Sequence, residues 1–121
     1  MTVPFIVIRA NVPISKVQEV ELKEQIGRAI LRVPGKSEAG LMLAFDGDAH
    51  LWLAGGDAPC AYVEAAVFAN EKHAGYGAFA AEVAEAFADV LDIPHQNVYV
   101  RFSDIPVWSV GDMVVDRRMF A

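Results

Sequence analysis

Two stretches of almost equal length follow the same order of strand, helix and strand. The first runs from Phe5 to Phe45 and the second from Ala61 to Phe102, which makes 41 and 42 residues. A helix that connects two strands of one sheet lets those strands pair in parallel. The repeat therefore predicts an α/β (α+β) fold of two βαβ units, with a four-stranded mixed sheet and two helices on one face.

The first strand, at residues 4–11, begins this pattern. Its four consecutive apolar residues, Phe5 to Ile8, are too few for a helix and suit a strand that is buried on both faces. Pro4 stands at the head of the strand, where a missing N–H group does least harm to the sheet. On local grounds Pro4 either only marks the strand end or supplies a ring nitrogen that acts as a catalytic base. The other predicted strands are residues 41–45, 60–68 and 97–102, with a short added strand at 50–53.

The two helices are predicted from their caps and their apolar periodicity. Ser15 and Gln18 have the spacing of a capping box, which places the start of the first helix, and Pro34-Gly35 ends it. In both helices apolar residues recur at intervals of three and four, so each helix presents one apolar stripe to the core. The stripes are Leu22, Ile26, Ala29, Ile30 and Val33 in the first helix, and Phe79, Val83, Ala86, Phe87, Val90 and Leu91 in the second.

The composition fits a single domain over residues 1–121. The chain has 121 residues, a mass of 13.1 kDa and 55% hydrophobic residues. That share exceeds the usual one of about 45–50%. Two helices on one face of a sheet leave the other face uncovered, and another copy of the chain is its natural cover. The pattern therefore predicts a homo-oligomer.

Charge and motifs argue against several classes of function. The net charge is −6 and the longest basic run is Arg117-Arg118, which does not suit a nucleic-acid-binding protein. No apolar run approaches the roughly 20 residues that span a bilayer. No signal peptide is recognisable either, so we expect a cytoplasmic protein without membrane contact. His50, His73 and His95 are scattered and lack the spacing of zinc ligands, and we expect neither a metal nor a cofactor.

Six short segments occur in a fixed order along the chain. They are Pro4-Phe5-Ile6-Val7, Asn11-Val12-Pro13, Pro34-Gly35-Lys36, Gly55-Gly56-Asp57-Ala58-Pro59-Cys60, Asn97 to Phe102, and Val110-Gly111. In this order and spacing they resemble the macrophage migration inhibitory factor and D-dopachrome tautomerase family, over nearly the whole chain. The resemblance implies a homotrimer whose sheets line a central barrel. It also implies keto–enol tautomerism of small α-keto acids such as phenylpyruvate.

The resemblance assigns roles to individual residues. Pro4 matches the catalytic proline, whose nitrogen is the general base once it is the first residue of the chain. Lys36 matches a lysine that pairs with the carboxylate of the substrate. The other matched positions of the substrate pocket are Phe68, Tyr99, Arg101, Val110 and Phe120.

Several of these residues also have a plain structural interpretation. Tyr99 and Arg101 alternate onto one face of their strand, and the resemblance places Tyr99 in the pocket of a neighbouring subunit. Arg101 would bind a carboxylate with two hydrogen bonds, or it would form a salt bridge at a subunit interface. Lys36, just past a helix end, would otherwise only interact with the helix dipole. Tyr99 and Phe120 would otherwise be core aromatic residues.

The residues before Pro4 separate two possible functions. Met1-Thr2-Val3 precede it in the sequence, and with Val3 attached the Pro4 nitrogen is an amide without a basic lone pair. The first interpretation is an isomerase that is active when the Pro4 nitrogen is freed. The alternative is a non-catalytic, cytokine-like binding or signalling trimer, cytoplasmic or exported without a signal peptide. Cys60 is the single cysteine, so neither a disulfide nor a Cys-x-x-Cys redox site is expected.

Overall fold

The computed structural model describes residues 4–120. Its main elements follow the order of the predicted repeat, and a hairpin and short 3₁₀ turns are added to them. The strands are β1 (Pro4–Ala10), β2 (Met42–Asp46), β3 (Ala61–Phe68) and β4 (Val98–Ile105), the hairpin is β5 (Val107–Val110) and β6 (Met113–Asp116), and the helices are α1 (Lys16–Ala29) and α2 (Tyr76–Leu91).

The four main strands form one mixed sheet in the order β2-β1-β3-β4. β1 pairs in parallel with β2, and β3 pairs in parallel with β4. The two central strands, β1 and β3, pair antiparallel, with Pro4 opposite Val67 and Ala10 opposite Ala61. The predicted pair of βαβ units and the mixed sheet are therefore confirmed.

Side chains alternate between the two faces of the sheet, and one face forms the core. The buried residues that β1 and β3 contribute to this face are Pro4, Ile6, Ile8, Ala10, Ala61, Val63, Ala65 and Val67. Apolar residues of both helices join them in one cluster. Burial of this apolar surface is the main stabilising contribution to the fold, and it confirms that both helices cover the same face.

Helix α1 begins at the predicted capping box. The Gln18 N–H donates to the Ser15 hydroxyl oxygen over 3.2 Å, and the Ser15 N–H donates to the Gln18 side-chain oxygen over 2.9 Å. The predicted apolar stripe is buried. The helix ends at Ala29, and a 3₁₀ turn over Ile30–Arg32 carries the chain on. Neither helix is long and apolar enough to cross a membrane, within the part of the chain that the structure describes.

The short strand predicted at residues 50–53 is wrong. Only an isolated bridge between Leu53 and Gly56 forms in this segment. The Asn11 side chain contributes to the difference, because its amide N–H₂ donates to the Leu51 carbonyl oxygen over 3.4 Å, as well as to those of Asp57 and Ala58 over 3.2 and 2.9 Å. The Leu51 carbonyl group is thereby paired with a side chain and not with a neighbouring strand.

The second face of the sheet, here called the open face, has no helix of residues 4–120 packed on it. By alternation and register its residues are Phe5, Val7, Arg9, Met42, Ala44, Asp46, Tyr62, Glu64, Ala66, Phe68, Tyr99, Arg101, Ser103 and Ile105, and the β5–β6 hairpin covers Phe68. The Arg9 guanidinium lies 3.3 Å from the Glu64 carboxylate and 4.0 Å from the Asp46 carboxylate. Met42 and Tyr99 are exposed on this face, so it combines apolar area with an ion-pair network.

Candidate active site

Pro4 lies in a row of three residues that crosses the sheet. It is paired with Val67 of β3, and Val67 is paired with Asp104 of β4. Paired residues place their side chains on the same face of a sheet, so all three side chains lie on the helix-covered face. Pro4 at the start of β1 therefore lies at the same edge of the sheet as Asp104 near the end of β4.

Lys36 reaches the same end of the sheet from the connection after α1. Its backbone N–H donates to the Val33 carbonyl oxygen over 3.1 Å, and only 9% of the residue is exposed. The Lys36 ammonium nitrogen lies 5.7 Å from the centroid of the Phe68 ring, within the range of a cation–π contact. Burial lowers the pKa of Lys36, and the nearby Asp104 charge opposes this effect. Lys36 is therefore a buried cation, unlike the solvent-exposed lysine that a helix-dipole role alone would require.

Phe68, the last residue of β3, forms the apolar wall beside this cation. It is buried, and Val115 and Trp108 of the β5–β6 hairpin pack in the same cluster. The ring of Phe120 meets the Phe68 ring edge-on, with 6.1 Å between centroids and an angle of 82°. The C-terminal segment therefore brings a second aromatic ring to the Lys36 side of the molecule.

Asp104 and Arg117 complete the charges around Lys36. A terminal guanidinium nitrogen of Arg117 lies 2.9 Å from the Asp104 carboxylate and 2.9 Å from the Glu71 carboxylate. The Asn70 backbone N–H donates to the other Asp104 oxygen over 2.7 Å. The Lys36 cluster is defined here as Pro4, Lys36, Phe68, Asp104, Arg117 and Phe120.

Asp104 and Arg117, two of the three charged members of this cluster, were not predicted from the sequence. The predicted fourth strand stopped at residue 102, whereas β4 continues to Ile105. Extending the alternation of Val98, Val100 and Phe102 by two residues would have placed Asp104 on the core side, an unusual position for a carboxylate. No signal in the sequence pairs Arg117 with Asp104, because the contact depends on how the C-terminal segment folds back.

Tyr76, the first residue of α2, borders the same charges. Its ring stacks on the Phe102 ring, with 4.0 Å between centroids and 8° between planes, and on the His73 ring at 5.5 Å. Burial is the main cause that raises the pKa of the Tyr76 hydroxyl, and the charge of Asp104 adds to it. Stacked aromatic rings thus border the site on the core side of the sheet.

Three of the sequence-predicted site residues are not brought to Pro4 within one chain. Tyr99 is paired with Tyr62 and Arg101 with Glu64, so both lie on the open face. Tyr99 is 58% exposed and lines a cavity of about 210 Å³ that also includes Trp52. Val110 lies at the turn of the β5–β6 hairpin and is exposed. The core interpretation is wrong for Tyr99 and for Phe120, which is 62% exposed.

Within one chain, the Lys36 cluster offers a desolvated cation, an aromatic wall and the head of a strand. A desolvated ammonium group binds a carboxylate more strongly than an exposed one, because water competes less for it. The aromatic wall favours a ligand with an apolar or aromatic body. The arrangement is therefore chemically suited to a small carboxylic acid, held with its reactive carbon towards the end of β1.

Comparisons with known proteins agree with this fold. The family profile described as macrophage migration inhibitory factor (MIF) matches residues 3–114. No curated protein matches the sequence.

Solved structures share the fold at low sequence identity. MIF2 of Leishmania major is 20% identical with a TM-score of 0.85, over 94% of this chain and 98% of that one. Pt0534, in a form inactivated by 2-oxo-3-pentynoate, is 20% identical with a TM-score of 0.76, over 97% and 99% of the two chains. The wild-type asymmetric trimer of a fused 4-OT is 20% identical with a TM-score of 0.77, over 96% and 98%. The family match covers most of the chain, and the chain belongs to the macrophage migration inhibitory factor family of the tautomerase superfamily.

Proposed function

We propose that this protein tautomerises small α-keto acids such as phenylpyruvate, with Pro4 as the general base once it is the first residue. The observation that carries the proposal is the buried Lys36 ammonium group beside the Phe68 ring, at the end of the sheet where Pro4 begins β1. A carboxylate held at Lys36 and an aromatic ring against Phe68 match the two ends of phenylpyruvate. The related Pt0534 structure is one inactivated by a 2-oxo acid, which supports this substrate class.

The chemistry requires only a proton transfer. A free amino-terminal amine titrates near pH 7.7–8.0, roughly, and the apolar surroundings of Pro4 favour its neutral, basic form. The neutral amine removes a proton from the carbon beside the carbonyl group, which leaves an enolate and a protonated amine. The protonated amine then gives that proton to the enolate oxygen, so the enol forms and the neutral amine returns; the same two transfers in reverse convert the enol to the keto acid. A base whose pKa lies close to the working pH is the most effective one for such a transfer.

We infer that the active form is a homotrimer. The open face places exposed Met42 and Tyr99 beside the ion pairs of Arg9, and copies of the same chain are complementary to such a surface. The fused 4-OT neighbour is an asymmetric trimer. In a trimer, Tyr99 and Arg101 of one copy would complete the Lys36 cluster of the next, with Val110 and Phe120 as apolar boundary residues.

The activity test compares two forms of one protein. Protein prepared to begin at Pro4 is expected to interconvert the enol and keto forms of phenylpyruvate, followed by the ultraviolet absorbance of the enol. The full chain, with Met1-Thr2-Val3 attached, is expected to be inactive because its Pro4 nitrogen is an amide. Lys36→Met in the shortened form should lower kcat/KM about tenfold to a hundredfold, the loss of one charge-assisted hydrogen bond. No activity from a folded trimer that begins at Pro4 would reject the proposal.

The second candidate is a non-catalytic MIF-like trimer that binds a ligand or signals. The Val3–Pro4 peptide bond in the sequence supports it. It predicts that protein isolated from its natural source keeps Met1 or Thr2 at its terminus and has no tautomerase activity. Mass spectrometry of the natural amino terminus distinguishes the two functions, since a terminus at Pro4 contradicts this candidate.

A further inference from the structure

The C-terminal 3₁₀ turn (Arg117–Phe120) carries the ring of Phe120 to the Phe68 ring, yet little apolar burial holds it there. Phe120 is 62% exposed and meets Phe68 edge-on. A side chain that stays so exposed removes little apolar area from water and keeps much of its conformational freedom unless its backbone is fixed. The position of Phe120 therefore depends on contacts made elsewhere in the turn.

Arg117, the first residue of this turn, is anchored by both its backbone and its side chain. Its backbone N–H donates to the Pro106 carbonyl oxygen over 2.8 Å, which extends the β5–β6 ladder by one step. One terminal guanidinium nitrogen lies 2.9 Å from the Asp104 carboxylate and 2.9 Å from the Glu71 carboxylate. The turn is therefore tied at its first residue to β4 and to the connection that follows β3.

The Asp104 end of this contact is itself fixed. One Asp104 oxygen accepts a hydrogen bond from the Asn70 backbone N–H over 2.7 Å, and the other lies at the Arg117 nitrogen. The side chains of Asp104 and Arg117 are 18% and 26% exposed, whereas Glu71 is an exposed residue. A charge-assisted hydrogen bond is stronger where water competes less for its groups. Asp104 is therefore the stronger of the two partners of Arg117.

Arg118, the next residue, shows what a purely local ion pair looks like in the same turn. Its backbone N–H and its guanidinium group donate to the Asp116 carboxylate over 2.8 to 3.2 Å. The Arg118 side chain is exposed, and its partner lies two residues earlier in the same segment. This pair stays within the C-terminal segment, whereas Arg117 binds residues of other elements.

We infer that Arg117 is a positioning residue whose ion pair with Asp104 holds Phe120 in place as the second aromatic wall of the site. The Phe68 ring lies beside both the Lys36 ammonium group and the Phe120 ring. The site thereby favours carboxylic acids with an aromatic body over short aliphatic ones. This preference rests on the proposed function in one respect, since it takes the substrate as an acid bound at Lys36. Arg117 itself does not touch the reacting atoms, and it acts through Phe120.

Nuclear magnetic resonance of the full-length protein tests the placement of Phe120 without any need for catalysis. Phenylalanine is protonated in an otherwise deuterated protein, and the two signals are identified by their loss in Phe68→Leu and Phe120→Leu. The wild type should show nuclear Overhauser contacts between the two rings. These contacts should be lost in Arg117→Gln and weakened in Asp104→Asn. Arg118→Gln is the matched control and should keep them.

Two results in folded protein would overturn the inference. One is full retention of the ring contacts in Arg117→Gln. The other is an equal loss in Arg118→Gln, which would make the charge of the whole turn responsible and not the ion pair of Arg117. If Arg117→Gln does not fold, as judged by circular dichroism, Asp104→Asn decides, because asparagine removes the charge and still accepts from the Asn70 N–H. Ring contacts of wild-type strength in that variant would reject the inference.

Kinetics on the form that begins at Pro4 separate this role from a general effect on stability. Exchange of the carbon 3 hydrogens in D₂O, followed by proton nuclear magnetic resonance, measures phenylpyruvate and 2-oxobutanoate in the same way. Arg117→Gln should raise KM for phenylpyruvate by about twofold to tenfold, the range of one edge-on aromatic contact, while kcat changes little. KM for 2-oxobutanoate, which has no ring, should stay near the wild-type value. An equal rise in KM for both acids would contradict the inference.

A double-mutant cycle shows whether Arg117 acts through Phe120. Phe120→Ala alone should raise KM for phenylpyruvate by a similar factor, and Arg117→Gln should add little in that background. Effects of the two substitutions that simply multiply would refute the inference. If no form that begins at Pro4 is active while the ring contacts respond as expected, the proposed function fails and the placement of Phe120 by Arg117 stands.

Discussion

Lys36 combines a formal charge with nearly complete burial, and it is the residue on which the candidate site depends. Only 9% of it is exposed, and its charge is balanced by a ring face and by Asp104 at longer range. Burial of a charge is unfavourable unless partners replace the lost water. The residue therefore lowers the stability of the fold near neutral pH, which is the usual signature of a group retained for binding.

Lys36→Met should therefore raise the free energy of unfolding near pH 7. Because burial lowers the pKa of Lys36, the unfolded chain binds more protons than the folded one between that lowered pKa and 10.5. The wild type thus gains stability as pH rises through this window, and its deficit against Lys36→Met should shrink. Urea unfolding at matched protein concentrations measures the difference.

Lys72→Met, at an exposed position, is the control for that comparison. It should leave the dependence of stability on pH as it is in the wild type. A gap between wild type and Lys36→Met that is constant from neutral to alkaline pH would contradict the proposed burial of charge.

For single residues, the sequence predicted which face of the sheet some side chains occupy, but it did not predict contacts between distant segments. Tyr99 and Arg101 could be assigned to one face because strand alternation is a local rule, and the structure places both on the open face. Asp104 lay just beyond the predicted end of its strand. The neighbours of Lys36 could not be inferred from local patterns, since Phe68 and Asp104 lie in strands far along the chain, where no periodicity connects them to Lys36.

The elements show where local rules are overridden by contacts between distant segments. Asn11 donates from one amide group to carbonyl oxygens of the loop at residues 57 and 58, and the Cys60 N–H donates back to its side-chain oxygen over 2.8 Å. The same amide group also binds the Leu51 carbonyl oxygen over 3.4 Å, so the predicted strand at residues 50–53 is held as a loop by a side chain from a distant segment. The helices behave differently, because the capping box of α1 and the apolar stripe of each helix are formed by neighbouring residues of the chain, and these features were predicted correctly.

Gly75, at the start of α2, shows how closely the elements approach each other. Its φ is +78°, and a Cβ added there would collide with the backbone carbonyl group of Arg32. Gly75→Ala should therefore lower the free energy of unfolding by more than about 1 kcal/mol. Gly77→Ala is its matched control, because a Cβ there meets nothing within 4 Å.

Gly77→Ala should raise stability by about 0.5–1 kcal/mol, since alanine is the better helix former. Chemical unfolding of the two variants beside the wild type measures both effects. Equal stability changes at the two positions would show that the contact between α2 and the Ile30–Arg32 turn is not tight.

At the scale of the whole molecule, the open face determines which of the predicted site residues a single chain can bring together. It keeps Tyr99 and Arg101 on the side of the sheet opposite to Pro4, so a single copy carries an incomplete set of the predicted site residues. Assembly and activity are therefore coupled under the proposed function, and a substitution that separates the copies should remove both.

Val7→Glu tests this coupling, because Val7 lies at the centre of the open face directly opposite Glu64. Like charges opposite each other are unfavourable, and the new carboxylate would also have to be desolvated on assembly. Light scattering should give three times 13.1 kDa for the wild type and one times that mass for the variant. Val17→Glu, on an exposed face of α1, should remain a trimer, and a trimeric Val7→Glu protein would refute the assignment of this face.

The antiparallel pairing of β1 with β3 has a consequence for how the two halves of the chain relate. Two parallel units joined by antiparallel first strands are arranged like the subunits of an isologous dimer, enclosed here within one polypeptide. The two first strands are complementary in size, because the bulky Phe5 and Ile6 lie opposite the small Ala66 and Ala65. Each half therefore fits the other better than it would fit a copy of itself. The centre of the sheet thus favours pairing of β1 with β3 over pairing of either strand with its own copy.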